Sequence, residues 1–224
     1  MTIQEMHQRI EQELFHIDGL DPERIDQVLN DEILNFVRTK LPKKRNLTGE
    51  GLDDDMLNAM DLSELKRTVA LGNIISEART ATFPLPEQPK CLYPIKFFAE
   101  VHYSLTRKPA NTSHPVTYSP GRILDSEYEH EIAADPLLKS SYKSPAGVIE
   151  GDKLIVAVDK SFILKGVRLT YIKYPQKVSL SSSKDCDLSE HVHPLIVNRT
   201  VAALLEQSES QRMQTKVAMN NIVE

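Results

Sequence analysis

The chain has 224 residues, 40% hydrophobic and 26% charged, with 27 Lys and Arg against 32 Asp and Glu for a net charge of −5. Such a length and balance fit one or two globular domains, and no apolar run approaches the ~20 residues that a membrane-spanning helix needs. The charge excludes a strongly basic nucleic-acid binder, and the acidic, amphipathic start MTIQEMHQRIEQEL lacks the basic-then-apolar order of a secretory signal, so a cytoplasmic protein is expected.

In chain order, Ile3, Met6, Ile10 and Leu14 keep to one face and predict a first helix, stopped by the GLDP turn at 19–22. Asp21 then stands as the N-cap of a second helix with Pro22 at its first position, where the missing amide costs nothing. Ile25, Val28, Leu29, Ile33, Phe36 and Val37 form its apolar stripe, and Pro42 ends it. Leu57, Met60, Leu62, Leu65, Val69 and Leu71 predict a third helical region with a break near Asp61.

From Thr80 the period changes. Ile95, Phe97, Ala99, Val101, Tyr103 and Leu105 alternate with Lys96, Phe98, Glu100, His102, Ser104 and Thr106, as in a strand with one buried face. Residues 148–158, interrupted by Gly151 and Asp152, read as a hairpin and 162–174 as a further strand, so an antiparallel meander is expected. Residues 108–120 read as a long loop. Near the C-terminus, Ile196, Val197, Thr200, Val201, Leu204 and Leu205 recur at three- and four-residue spacing and predict a last helix. Asp187 and Glu190 have the spacing of a capping box, but a helix beginning there would hold Pro194 inside it. Two arrangements remain open, a kink at Pro194 or a later start.

The predicted fold class is α+β: a helical bundle formed by N- and C-terminal helices, with an antiparallel β-rich insertion between them. Residues 1–80 would be the N-terminal part of the bundle, 81–180 the insertion, and 181–224 a helix and extended tail completing the bundle. The two helical parts are joined because a lone C-terminal helix has nothing against which to bury its stripe. Charge follows the same division. Residues 1–80 carry ten Lys and Arg against sixteen Asp and Glu, 81–180 carry thirteen against ten, and 181–224 carry four against six. Each segment either carries its own solvated surface, or the difference in potential orients the molecule on a partner.

No constellation specifies a reaction. His191 and His193, beside Glu190 and Cys186, would share a face on a strand but diverge by about 200° on a helix, which argues against a shared metal. Asp53, Asp54 and Asp55 with Glu50 lack the alternating ligands and central glycine of a calcium loop. Cys91 and Cys186 have no CxxC spacing and read as reduced structural cysteines. Lys40, Lys43, Lys44 and Arg45 form the densest basic cluster, suited to a helix C-terminus, an acidic partner surface or passing DNA; no aromatic residues interleave it. Nucleophile elbow, HExxH, Walker loop and GxGxxG are all missing from the sequence, so neither an enzyme nor a cofactor is expected.

Several segments occur in a telling order. They are IDQVLNDEILNFVR at 25–38, DLSELKRTVAL at 61–71, DPLL at 135–138 before Ser144 and Pro145, LTYIKYP at 169–175, LSEHVH at 188–193 with its helix, and QRMQTK at 211–216. In this order the chain resembles the ring-forming head-to-tail connector, or adaptor, proteins of tailed phages, closest to those of crAss-like podophages of Bacteroidetes. It departs from that pattern at Ser189, where the family favours Pro, and at Pro194, where it favours an acidic residue.

The resemblance implies a virion protein assembled in the host cytoplasm as a cyclic homo-oligomer, a dodecamer matching the portal's twelvefold symmetry. It would sit in the portal vertex, touch the portal and other connector or tail ring proteins, and leave a channel for DNA without reading its sequence. Lys43, Lys44, Arg45, Glu190, His191, His193, Arg212 and Lys216 are the expected contact residues. The polar tail from Gln207 is expected to order only on a neighbour. The rival readings are an intracellular protein- or peptide-binding module and, behind it, a metal-dependent hydrolase built on His191, His193 and the Asp53 cluster.

Overall fold

The structure, a computed structural model, describes residues 1–14, 20–41, 60–72, 75–76, 80–103, 116–124, 139–158 and 162–220, with side chains of the last segment as far as Ser208. The described residues divide between two compact units, one drawn from Met1–Leu41, Met56–Leu65 and Pro175–Glu224, the other from Pro42–Asp55 and Lys66–Tyr174.

The first unit is helical. Helix α1 (Ile3–Glu13) opens with a capping box in which the Glu5 amide donates to Thr2 Oγ1 at 3.3 Å and the Thr2 amide donates to Glu5 Oε2 at 2.9 Å. Ile3, Met6, His7 and Ile10 are buried along it. Helix α2 (Pro22–Lys40) is capped by Asp21, which accepts from the Glu23 amide at 3.1 Å, and buries the six-residue stripe read from the sequence. Helix α3 (His193–Asn220) packs on both α1 and α2 through Ile196, Val197, Thr200, Val201 and Leu204. It begins after a 3-10 turn at Glu190–Val192, so Pro194 falls in its first turn, where no amide partner is needed. The later start is thus the arrangement adopted. The extended tail expected after Gln207 is instead helical as far as Asn220.

A strandless segment after Pro175 is held against α1 and α2 by side chains standing in for backbone partners. Asn30 accepts from the Val178 amide at 2.8 Å and donates to the Val178 carbonyl at 3.0 Å, as a neighbouring strand would. Asp26 accepts from the Leu180 amide at 3.0 Å and from His7 Nε2 at 2.8 Å, and Asp185 accepts from the Ile3 amide at 2.7 Å.

The second unit is a sheet of eight strands: β1 (Lys66–Leu71), β2 (Ile75–Ser76), β3 (Thr80–Pro84), β4 (Cys91–Tyr103), β5 (Val116–Leu124), β6 (Ala146–Glu150), β7 (Lys153–Ala157) and β8 (Phe162–Lys173). Their spatial order is β1-β8-β4-β5-β6-β7-β3-β2. Leu71, Phe83, Phe97, Ile123, Leu154 and Phe162, from six different strands, share one buried cluster around which the sheet curls, and Leu124, Ala146 and Val148 form a second, smaller one. Gly121 is required by that core, because a Cβ there would lie 2.0 Å from Phe97 Cε2. Gly151 turns the β6–β7 hairpin at φ +57°, a conformation glycine adopts without strain.

This architecture overturns the predicted helical bundle with an antiparallel insertion. The largest assembly is a curled mixed sheet, accompanied by three α-helices among the described residues. Residues 66–71 are not part of a third helix but pair along β8 from Lys66↔Ile172 to Leu71↔Val167, and Thr68 and Thr170 join their hydroxyls at 3.1 Å across the pair. Cross-strand pairing has overridden the helix-like spacing of Leu62, Leu65 and Val69. Val116–Pro120, read as loop, belongs to β5. Nor is the sheet a meander: β5 and β6 are parallel, with Arg122↔Ala146, Ile123↔Gly147 and Leu124↔Val148 as partners. The 21 residues between Leu124 and Ala146 allow the long crossover that parallel pairing demands.

Candidate partner interface

The N-terminal approach to α3 is built by long-range polar contacts. Ser189, at the N-cap position of the 3-10 turn, makes no side-chain cap bond; its hydroxyl donates to the Met60 carbonyl at 3.2 Å. Asp187 accepts from the Gln176 amide at 3.2 Å, and the expected Asp187–Glu190 capping box is not formed. His191 Nε2 donates to Asp61 Oδ1 at 2.8 Å, and Lys40 Nζ pairs with Asp61 Oδ2 at 2.9 Å. Both carboxylate oxygens are therefore engaged by donors from opposite ends of the sequence. Burial of Asp61 works against its ionisation, but the hydrogen bonds from His191 and Lys40 prevail and hold its pKa below the usual carboxylate value. Lys40 Nζ also lies 5.6 Å from the centre of the Phe36 ring, one turn earlier on α2.

His193 is separate from His191. It is buried, and its Nε2 donates to the Leu188 carbonyl at 2.9 Å, while Nδ1 has no hydrogen-bond partner among the described residues. Cys186 is buried too, and burial pushes its thiol pKa up to about 11, so it stays protonated. The two histidines and the cysteine do not converge, and among the described residues no three His, Cys, Asp or Glu side chains are placed to hold a metal ion.

Of the other expected contact residues, Glu190 is exposed. Lys43, Lys44 and Arg45, with Glu50 and Asp53 to Asp55, lie outside the described residues. Arg212 and Lys216 belong to α3, but their side chains lie outside the description. Sequence reasoning missed two sets of exposed apolar groups. In the helical unit these are Met60 at 63% exposure, Leu195 at 44% and Leu205 at 41%. On the sheet they are Tyr118 at 54% and Ile163 at 47%. The signal for Leu195 was present, since it stands one residue off the buried stripe with Asn198 and Ala202 at helical spacing, whereas Leu205, read as part of that stripe, is exposed instead.

The candidate groups are charged pairs at hydrogen-bonding distance, a protonated thiol and isolated exposed apolar side chains. No helix among the described residues is long and apolar enough to cross a membrane. No protein-family model matches the chain, and no curated protein does either.

Proposed function

We propose that this chain is a structural virion protein that assembles as a ring in the portal vertex, joins the portal to the tail and leaves a channel for DNA. The observation that carries the reading is the course of α3. Leu204 is its last buried residue among those whose burial is described, and the helix continues for sixteen residues to Asn220, about 24 Å at 1.5 Å per residue. Leu205, Glu206 and Gln207 are already exposed at the start of that stretch. An arm of this kind gains its packing from a neighbour, and many such contacts around a ring add by multivalency.

The ordered segments resembling connector proteins supply the rest of the reading: a homo-oligomer of twelvefold symmetry on the portal, with further ring or tail proteins on its other side. It would be assembled in the host cytoplasm and carried in the virion neck, with no catalytic step and no cofactor. DNA would pass through without sequence-specific contact.

Deletion of residues 208–224 tests the reading. The truncated protein should fold and fail to join the connector when mixed with the portal encoded in the same genome and imaged by cryo-electron microscopy without imposed symmetry. Unchanged incorporation would sink it. One observation favours a second reading, a peptide-binding module: among the described residues no strand pairs with the outer edge of β1, where Lys66, Arg67, Thr68 and Ala70 are exposed. A module would add an extended peptide there at 1:1 stoichiometry and show no cyclic symmetry.

A further inference from the structure

The outward face of the sheet gathers cations that the surrounding side chains do not neutralise. The register shows which residues share that face. Phe98 on β4 stands between Arg168 on β8 and Pro120 on β5, and Glu100 between Gly166 and Tyr118. Their neighbours Phe97, Ala99 and Val101 are fully buried, so this alternate row points away from the core. Lys96, two residues before Phe98, belongs to the same row. Lys165 and Arg168 are exposed along β8, about 10 Å apart by strand rise. Lys96, Lys165 and Arg168 form no ion pair with a described residue, and Glu100 is the acidic side chain that stands among them.

These cations are interleaved with aromatic rings, the feature that the cluster from Lys40 to Arg45 lacks. Arg168 Cζ lies 5.3 Å from the centre of the Tyr118 ring, and Lys96 Nζ lies 5.6 Å from that of Phe98. Tyr118 stays 54% exposed, so beside the guanidinium it still offers ring surface to a planar ligand. Ring and cation thus come as adjacent pairs, twice on one face. An acidic peptide would need only the cations, and duplex DNA keeps the faces of its bases stacked inside. A single strand uses both groups, with its bases stacked on the rings and its phosphates on the cations. Charges more than about 8–10 Å away are largely screened at physiological salt, so this local set outweighs the net −5 of the chain.

We infer that the outward face of β5, β4 and β8 binds single-stranded nucleic acid, with Tyr118 as the stacking platform and Lys96, Lys165 and Arg168 as the phosphate contacts. Stacking is indifferent to base identity, so the site has no sequence specificity. The inference goes beyond the ring reading and does not depend on it.

The test is fluorescence anisotropy of a labelled oligothymidylate titrated with the full chain, with thermal unfolding of each variant as the check on folding. Three phosphate contacts give a slope of about −2 in log affinity against log salt, so binding should weaken about 20-fold between 50 and 200 mM salt. Lys165→Glu with Arg168→Glu should weaken binding at least ~10-fold and flatten that slope. Lys177→Glu with Lys184→Glu, the same change in net charge placed at exposed positions of the helical unit, should leave binding unaltered. Tyr118→Leu should cost about 5-fold or more while Tyr118→Phe binds as the unaltered chain does, because stacking needs the ring and not the hydroxyl. Tyr118→Leu carries the test if the charge reversal folds poorly. Absence of binding at low salt overturns the inference. So does equal affinity for a duplex or for polyglutamate of the same length, or a well-folded Tyr118→Leu that binds unchanged, since each leaves only general attraction to polyanions. None of these results bears on the ring reading, which imaging with the portal decides.

Discussion

Replacing Asn30 with Ala removes a side chain that does the work of a missing strand. Asn30 holds the Val178 amide and carbonyl at 2.8 and 3.0 Å and also donates to the Asp26 carbonyl at 2.7 Å. Val178 is 1% exposed, so water has little access to the backbone groups left behind. Leaving a buried amide and a buried carbonyl unpaired costs about 1–3 kcal/mol each, so a loss of about 2–4 kcal/mol is expected. For a chain of this size that corresponds to a fall in Tm of roughly 5–12 °C, with the urea midpoint lowered and the m-value unchanged. Asn30→Asp separates the parts. It keeps an acceptor for the Val178 amide but places a carboxylate against the Val178 carbonyl, so it should rescue little. Hydrogen exchange at the Val178 amide localises the effect, because its protection should collapse before that of α2. A loss under about 0.5 kcal/mol with Val178 still protected would refute the assignment of Asn30 as the strand substitute.

Gly121→Ala puts a Cβ within 2.0 Å of Phe97 in the sheet core and should destabilise by about 1–3 kcal/mol or more, read as a lower Tm; an unchanged Tm would mean that Phe97 moves aside freely. Asp61→Asn tests the cluster that joins α2 to the start of α3. The folded Asp61 pKa lies below its ordinary value of 3.8, so its contribution is present above pH 4 and lost as pH falls through the lowered value. The partly exposed pairing limits that contribution to about 1 kcal/mol or less. Wild type and Asp61→Asn should therefore differ in urea midpoint at pH 6 and converge as the pH drops below 4; a gap that widens in acid would contradict the sign.

The parts of the fold legible in the sequence are those decided within a few turns of chain. Asp21 and Pro22 set the start of α2 by local chemistry, and the stripes of α1 and α2 are unbroken, so both helices appear where the pattern puts them. The alternation through Phe97, Ala99 and Val101 likewise marks β4 by itself. What could not be read depends on partners far away. Residues 66–71 have spacing compatible with a helix, and only the ladder with β8, a hundred residues on, makes them a strand. Pro120 argues for a loop, yet β5 accommodates it opposite Phe98. The site follows the same division. His191 meets Asp61 across 130 residues and Asn30 meets Val178 across 148, distances at which no local spacing speaks. One hint was available: Asp26 and Asn30 are polar residues four apart beside the buried stripe of α2, where side chains with interior partners are placed.

The pairing of β1 with β8 also bears on how the helical unit can exist at all, since its pieces come from both ends of the chain. Between Leu65 and Pro175 lie 109 residues that belong to the sheet unit. Closing a flexible loop of that length costs about (3/2)RT ln n, so holding its ends together would oppose assembly of α1, α2 and α3. Lys66 and Ile172 are direct partners, however, so the chain enters and leaves the sheet at adjacent positions. Once the sheet has formed, the helical segments are tethered as if by a connection of a few residues, and the closure cost falls by about 3 kcal/mol. The β1–β8 ladder therefore stabilises the helical unit by shortening the connection between its two parts. The strand that sequence pattern assigns to a helix is the one that brings the two ends of the helical unit together.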